Sequence, residues 1–299
     1  MAKSIIEDVR DNLRTADALY RLIYANIGVY LLILITNSFT KLFTGNNDDI
    51  ILTVAAKWLA VPSNPEVLIT RPWTLITYMF LHLEFFHILF NLLWLYWMGT
   101  ILREFLGNQK VFSTYILGGI SGALLYISFF NIFPLFSSQV QSSSALGASA
   151  GVLAITVAAA TLVPNYSVRL MLIGAVPLKY IAGATLALDF INISGSNAGG
   201  HIAHIGGAMF GFFYIRQLQQ GHDMAGWFNR LMDKISSKSS SGSKMKVKYR
   251  RAVSDEDFVA DKKSRQERID GILDKIGKSG YGSLTQEEKD ILFKSSKDQ

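Results

Sequence analysis

The chain has 299 residues, of which 50% are hydrophobic, and its mean hydropathy is +0.26. Because the apolar residues fall in long runs, the composition predicts a polytopic membrane protein rather than an ordinary soluble domain. The absence of cysteine excludes disulfides and thiolate metal sites. The net charge of +6 arises mostly in the C-terminal part, where it bears on topology and lipid contact. Basic and aromatic residues are not interleaved, so no nucleic-acid partner is expected.

Differences in composition along the chain predict four regions. They are a cytoplasmic N-terminal segment (1–21), a six-helix membrane domain (22–217), a basic flexible linker (218–264) and a small cytoplasmic helical hairpin (265–299). In the hairpin, Thr285 followed three residues later by Glu288 predicts a capping box. A unit of this size buries little core alone, so it is expected to dock on itself or on an unknown partner.

Six apolar runs predict six membrane helices, so the expected fold class is an all-α membrane bundle with a small helical tail. The runs lie at about 22–40, 85–101, 111–131, the stretch ending at Pro164, 180–194 and 199–216. The stretch 50–61 is too short to cross a bilayer and is expected to lie as a helix in the interface. Residues 170–178 are expected to form a cytoplasmic connection that is partly embedded there. No cleavable signal peptide is evident, so the first run is expected to remain as an anchor.

The basic residues predict the orientation of the six helices. The segments 41–84, 131–146 and 195–200 together carry only three of the 29 lysines and arginines. The positive-inside rule therefore places both termini in the cytoplasm. It follows that the second, fourth and sixth helices begin at the outer face.

Unusual polar residues occur in these three helices: His87 and Asn91 in the second, Ser149 in the fourth, and His201 and His204 in the sixth. All lie within about the first two turns, so their depths are similar. Polar side chains are costly in hydrocarbon and usually face a bundle interior or a water-filled cavity. One outward-opening cavity holding all of them would contain a nucleophile, a general base and oxyanion donors.

Ser149 has two interpretations from its surroundings. It lies between Gly147 and Gly151, where a small hydroxyl serves either close helix packing or nucleophilic attack. The same residues match the GxSxG nucleophile elbow of α/β-hydrolases, but that motif requires strands around it. Apolar helices flank the motif here, so that fold is excluded.

The other polar residues are weighed in the same way. His87 and Asn91 are spaced i, i+4 and share a helix face, which favours a joint role over packing. His82 precedes the helix among aromatic residues and is expected to be interfacial. Asp189, in the fifth run, is a candidate third triad member or proton relay, but its position on a separate helix does not favour catalysis. No HExxH motif occurs and the histidine spacing indicates no metal site, so neither a metal nor a cofactor is expected.

Taken together, these residues resemble the rhomboid family of intramembrane serine proteases. The resemblance covers about residues 20–217 and is carried by Pro72-Trp73, His82 with His87-Ile88-Leu89-Phe90-Asn91, Gly147-Ala148-Ser149, and Ala203-His204-Ile205-Gly206-Gly207-Ala208-Met209-Phe210-Gly211. Each motif is weak alone, but their order on three successive helices is specific. One departure is Ala150, where many members have glycine. A methyl group at that position is expected to narrow the site.

The resemblance implies six helices around a water-filled site below the outer membrane surface. It implies a dyad of Ser149 and His204 with no acidic third member. It also implies that His87 and Asn91 help stabilise the oxyanion, together with the backbone N–H of Ser149. The implied activity is endoproteolysis of transmembrane substrates near the outer face, through an acyl-enzyme.

Two other functions stay open. A catalytically silent member of the family would bind membrane helices without cleaving them, although such a protein has no need of both Ser149 and His204. A transporter would use the polar cavity for a solute, but intramembrane acids are scarce, Asp189 being the main one. The expected partners are membrane-protein substrates and the lipid bilayer. The expected location is a bacterial inner membrane.

Helix geometry selects His204 rather than His201 as the base. Gly207 and Gly211 mark the face of the sixth helix that can approach the fourth closely. At about 100° per residue, the mean direction of these glycines lies roughly 40° from His204 and roughly 100° from His201. His204 is therefore expected to face Ser149, with His201 at the rim of the site.

Overall fold

The computed structural model describes residues 17–170, 174–195 and 197–239 and, in the tail, 271–272, 274–276, 284–285 and 287–288. The chain divides into two compact units, 1–240 and 241–299. Among the described residues of the first unit, the helices are α1 (Ala18–Thr44), α2 (Ile50–Leu59), α3 (Pro65–Thr70), α4 (Thr74–Thr77), α5 (Phe85–Leu106), α6 (Asn108–Ile132), α7 (Ser149–Leu162), α8 (Leu178–Ile191), α9 (Ala198–Gln219) and α10 (Gly226–Ser239). The same residues also form two 3₁₀ turns (Tyr78–Phe80 and Pro134–Gln139) and two antiparallel strand pairs, β1 (Val61–Pro62) with β2 (Ser144–Ala145) and β3 (Ser167–Leu170) with β4 (Gly174–Pro177).

Of the helices described, three are long and apolar enough to cross a membrane: α1, α5 and α6. They contain the first three predicted spans. Helices α7, α8 and α9 occupy the positions of the other three, but α7 has 14 residues, or about 21 Å of helix, against a hydrocarbon core of about 30 Å. The protein is thus a helical membrane protein, and the count of six crossings stays a prediction.

The start of α1 is fixed by Asp17. Its side chain accepts a hydrogen bond from the backbone N–H of Tyr20, which satisfies a donor at the helix N-terminus. The same carboxylate pairs with Arg103 near the C-terminal end of α5. This ion pair joins the beginning of α1 to the end of α5. At its other end, α1 stops at Gly45, which adopts a left-handed conformation with φ of 65°.

The core of the first unit lies where α7 packs between α6 and α9. Glycines make this packing possible, because a Cβ on Gly207 would lie 2.1 Å from the carbonyl oxygen of Ala150. A Cβ on Gly211 would likewise lie 2.2 Å from the carbonyl oxygen of Ala154. No side chain fits at either position. The expectation that Gly207 and Gly211 face the Ser149 helix is therefore confirmed.

Two connections differ from their predictions. The segment predicted as an interfacial connection at 170–178 includes strand β4, which pairs with β3 from Ser167↔Pro177 to Leu170↔Gly174. Part of the predicted linker 218–264 is helical, because α10 lies within it. Phe228 of α10 is buried, and its ring lies 6.1 Å from that of Phe112 on α6. Apolar burial therefore orders a segment whose lysines and serines suggested flexibility; residues 240–264 lie outside the described residues.

In the tail unit, the described residues confirm the capping box. The backbone N–H of Thr285 donates to Glu288 Oε2 at 2.7 Å, and the N–H of Glu288 donates to Thr285 Oγ1 at 3.4 Å. Lys275 pairs with Glu288 at 2.9 Å, and this ammonium holds the pKa of the Glu288 carboxyl below its usual value. The remaining residues of the predicted hairpin lie outside the described set.

Candidate functional site

The segment before Ser149 is held by backbone contacts on both sides. Gly147 has φ of +115°, a conformation that side-chain-bearing residues rarely adopt, and its N–H donates to the Tyr78 carbonyl at 2.8 Å. The next N–H, that of Ala148, donates to His82 Nε2 at 3.3 Å. Helix α7 then begins at Ser149. The serine accordingly occupies the first helical position, directly after a constrained turn.

His82 is not interfacial, as the sequence suggested, but completely buried. Its ring lies 5.0 Å from that of His87, in an edge-to-face arrangement, and it accepts the hydrogen bond from Ala148. The 3₁₀ turn at Tyr78–Phe80 ends at an extended Leu81, and the imidazole that follows lies against the backbone of Ala148. Aromatic neighbours in sequence gave no indication of this contact. His82 therefore supports the turn that precedes Ser149.

His204 and Asp189 meet across two helices. The Nδ1 atom of His204 on α9 lies 2.8 Å from Oδ1 of Asp189 on α8. Asp189 is buried, with 8% of its side chain exposed, whereas His204 retains 22%. An ionised carboxylate only accepts hydrogen bonds, so the contact places a proton on Nδ1 and leaves Nε2 of His204 as an acceptor. This acidic neighbour is absent from the arrangement that the resemblance implied.

His201 takes part in the same contact. Its Nδ1 also lies 2.8 Å from Asp189 Oδ1, and its exposed fraction, 24%, is nearly that of His204. The exposed fractions therefore do not place His201 nearer than His204 to the rim of the site, where it was expected. What separates the two histidines is the cavity, which His204 lines and His201 does not.

A cavity of about 560 Å³ joins the predicted residues. Its lining includes Ser149, His204, His87, Asn91 and Asp189. The structure thus brings together all four residues predicted for catalysis and oxyanion binding, and it adds a fifth that the sequence reasoning did not favour. The signal for Asp189 was present, since an acid within an apolar helix is a candidate functional group.

His87 and Asn91 lie on the α5 side of this cavity. A Cβ placed on Gly147 would lie 2.8 Å from His87 Nε2 and 3.8 Å from Ser149 Oγ, so the imidazole and the hydroxyl converge on that glycine. Asn91 donates from Nδ2 to the His87 carbonyl at 2.9 Å, which holds its amide against α5. An amide nitrogen carries two hydrogens, so one remains for a ligand in the cavity.

Ala150 does not narrow the cavity. It is buried, it is not among the lining residues, and its Cβ lies 2.7 Å from where a Cβ on Gly122 would be. The methyl group thus points at α6, and the absence of a side chain at Gly122 accommodates it. Successive residues of a helix point in different directions, so Ala150 of α7 does not face the cavity that Ser149 lines. The expectation that its methyl group narrows the site is therefore wrong.

Two family models match parts of this chain. Residues 70–220 match the rhomboid domain, and residues 254–298 match a family of unknown function, DUF6576. The rhomboid match spans half of the chain and contains all the cavity residues named above. The chain belongs to the rhomboid family.

Three relatives show how far the similarity extends. The mitochondrial presenilin-associated rhomboid-like protein of Rattus norvegicus is 30% identical over 174 residues, which is 56% of this chain and 42% of that protein. Protein A of the same name from Danio rerio is 27% identical over 160 residues, or 52% of this chain and 39% of its own length. Rhomboid protease GlpG of Salmonella newport (strain SL254) is 43% identical over 54 residues, covering 18% of this chain and 19% of that protein. The chain thus spans about two fifths of the length of the two mitochondrial relatives.

Proposed function

We propose that the protein is an intramembrane serine endopeptidase in which Ser149 is the nucleophile and His204 the general base. One observation carries the proposal: a serine at the first position of a buried helix and an imidazole with a free Nε2 line the same cavity. A serine hydroxyl is a weak nucleophile until a base takes its proton, so this pair is the minimum for acyl transfer.

Catalysis would begin when Nε2 of His204 accepts the proton of Ser149 as Oγ attacks a peptide carbonyl. Asp189 acts as a positioning residue, because its contact with Nδ1 fixes the tautomer and stabilises the imidazolium that forms. The imidazolium then protonates the departing amine, leaving an acyl-enzyme on Ser149. A water molecule, deprotonated by the same nitrogen, hydrolyses this ester and restores the serine.

The negative oxygen formed during attack needs donors that are already in place. His87 and Asn91 supply them from α5, and the backbone N–H of Ser149 supplies one from the first turn of α7. Because an α-helix leaves its first N–H groups without partners inside the helix, the start of α7 favours negative charge. Preorganised donors of this kind stabilise the transition state without reorganisation.

The walls of the cavity favour a membrane-embedded substrate. The lining of the cavity includes Phe86, Phe90 and Trp94 of α5 and Val152 and Leu153 of α7. Such walls suit apolar side chains, whereas a peptide backbone leaving its helix needs water or protein partners that lipid cannot provide. The expected substrate is a transmembrane segment that unwinds at its outer end. We propose that the cavity opens toward the outer face of the membrane. The six crossings, the cytoplasmic termini and the four regions of the chain are parts of the same proposal.

A catalytically silent, helix-binding member of the family is the second candidate. The cavity alone fits both functions, but binding a helix requires neither a free imidazole nitrogen nor a buried carboxylate behind it.

The location of the protein within the cell is a separate question. The two presenilin-associated rhomboid-like relatives carry mitochondrial names and GlpG is from a bacterium, so the comparisons do not support the expected bacterial inner membrane.

The decisive experiment compares the wild-type protein with Ser149→Ala, purified in detergent and then reconstituted in liposomes. We expect the wild type to cleave a model transmembrane substrate and to react covalently with a fluorophosphonate at Ser149. The alanine variant should do neither while retaining its helical circular dichroism. Full cleavage by the variant would refute the nucleophile, and an inert wild type that binds the substrate helix would favour the silent candidate.

A further inference from the structure

Asp189, His201 and His204 form a cluster that the hydrolytic mechanism only partly uses. The Nδ1 atoms of both histidines lie 2.8 Å from the same carboxylate oxygen, and one ligating atom from each residue lies within 4.8 Å of the other two. Catalysis requires His204, with Asp189 behind it. It gives no role to His201, which does not line the cavity yet makes the same contact.

The other carboxylate oxygen of Asp189 is the second unexplained feature. Oδ2 is buried and has no hydrogen-bond partner in the part of the chain that the structure describes. A buried polar atom without a partner is costly, and a charged one more so. Both imidazole contacts fall on Oδ1, so the acceptor capacity of Oδ2 is not used by either histidine. A cation beside the carboxylate would meet that excess.

We propose that Asp189, His201 and His204 bind a divalent transition-metal ion of the zinc type. Two imidazole nitrogens and one carboxylate oxygen match the ligand preference of Zn²⁺, whereas Mg²⁺ and Ca²⁺ require mainly oxygen. Three protein ligands leave a fourth tetrahedral position for water. With bonds of about 2.0–2.2 Å, the ligand atoms would stand about 3.3 Å apart. The two contacts of 2.8 Å with Asp189 would open by about half an ångström, and the two histidine nitrogens would take up the same separation from each other.

The arrangement of the cluster allows an ion to enter it. His201 and His204 are spaced i, i+3 on α9, so both rings reach the same side of the helix, opposite Asp189 on α8. About a quarter of each histidine side chain is exposed, so the rings are accessible from outside the protein. Asp189 is the most buried of the three, and it supplies the charge.

Metal binding would switch off the base. The ion takes the lone pair at Nδ1 of His204, so the single proton of the neutral ring moves through water to Nε2. Nε2 then donates a hydrogen bond and can no longer accept the proton of Ser149. This consequence rests on the proposed function, whereas the binding itself does not. The cluster would therefore act as an inhibitory metal site at the base.

The binding test uses the full-length Ser149→Ala protein in detergent, so that no turnover interferes. Titration with ZnCl₂ in a calorimeter should show one saturable site, and MgCl₂ should show none. His201→Gln and Asp189→Asn, made in that background, preserve side-chain size and should each weaken binding by about 100-fold or more, since even residues outside a coordination shell contribute about 10- to 100-fold. His222→Gln is the matched control, because His222 is exposed on the turn after α9 and should leave binding unchanged.

Two binding results would overturn the site. One is the absence of saturable Zn²⁺ binding. The other is binding that survives His201→Gln but is lost in His87→Gln, which would assign the ion to the His87 side of the cavity. Circular dichroism of each variant separates loss of a ligand from loss of the fold.

The activity test measures fluorophosphonate labelling of Ser149 and substrate cleavage with and without ZnCl₂, each variant being compared with its own metal-free rate. Zn²⁺ should suppress both in the wild type, EDTA should restore them, and His201→Gln should resist the ion by the factor found in the titration. Equal suppression in the wild type and His201→Gln would overturn the inhibitory role. A protein that binds Zn²⁺ but never labels or cleaves would refute the proposed function and leave the metal site standing.

Discussion

Helices α7 and α8 have the same length and both contribute to the cavity, yet they are packed very differently. Eleven of the 14 residues of α7 are buried, against four of the 14 of α8. Helix α7 lies among α5, α6 and α9, in contacts so close that glycines replace side chains. Helix α8 turns large apolar residues outward, such as Phe190, which is 71% exposed.

The one charged residue among the four buried on α8 is Asp189. The proposed nucleophile is therefore held by a closely packed helix, while the carboxylate that contacts the proposed base comes from a helix with few buried residues. Close packing suits a serine that must hold its position to within a fraction of an ångström. Helix α8 is packed less closely, and its Asp189 carboxylate contacts the two histidines through charge and hydrogen bonding. We expect substitutions on the two sides of the cavity to act by different routes.

The largest expected effect tests the close-packed side. His204→Ala should lower the cleavage rate by about 10⁴-fold or more, because it removes the acceptor for the Ser149 proton. Cleavage of a model transmembrane substrate is the measurement. His201→Ala is the comparison, since His201 has the same contact with Asp189 but does not line the cavity, and it should lose far less activity. A reversed order would mean that the orientation assigned to α9 is wrong.

Much of this close-packed region could be predicted from the sequence. Small residues at helical spacing predicted that Gly207 and Gly211 would meet the Ser149 helix, since close approach depends mainly on which face lacks side chains. The apolar run also predicted that Ser149 would lie near the start of a helix. Both features are properties of one segment and its own periodicity, which a sequence displays directly.

The looser side could not be predicted in the same way. The contact of Asp189 with both histidines depends on how α8 is rotated and set in depth against α9, and no periodicity within α8 specifies this. The burial of His82 depends on its contact with Ala148, which lies 66 residues away in the sequence. Helix α10 did carry a signal, because Trp227, Phe228, Leu231 and Met232 follow helical spacing, but the neighbouring lysines and serines outweighed it.

The next effect tests the α8 side. Asp189→Asn keeps the shape of the side chain but removes its charge, and its amide can also donate to Nδ1 and favour the wrong tautomer. We expect cleavage to fall by about 10²-fold, within the range of about 10²–10⁴ attributed to acid–base catalysis. The loss should appear in kcat and leave KM nearly unchanged, and Asp189→Glu should recover part of it. A rise in KM alone would indicate that Asp189 contacts the substrate instead.

The smallest effects are expected from substitution of two glycines. Gly207 lies on α9, where it packs against α7, and Gly183 lies on α8. A methyl group on Gly207 would meet the Ala150 carbonyl oxygen at 2.1 Å, so Gly207→Ala must push α9 away from α7. Overpacking of this kind costs about 1–3 kcal/mol, and the displaced Ser149 turn should lower activity as well. A Cβ on Gly183 has no neighbouring atom within 4 Å, so Gly183→Ala should be neutral or stabilise α8 by up to about 1 kcal/mol through its higher helix propensity. Thermal unfolding in detergent measures both, and similar shifts in the two variants would show that α7 and α8 are packed alike after all.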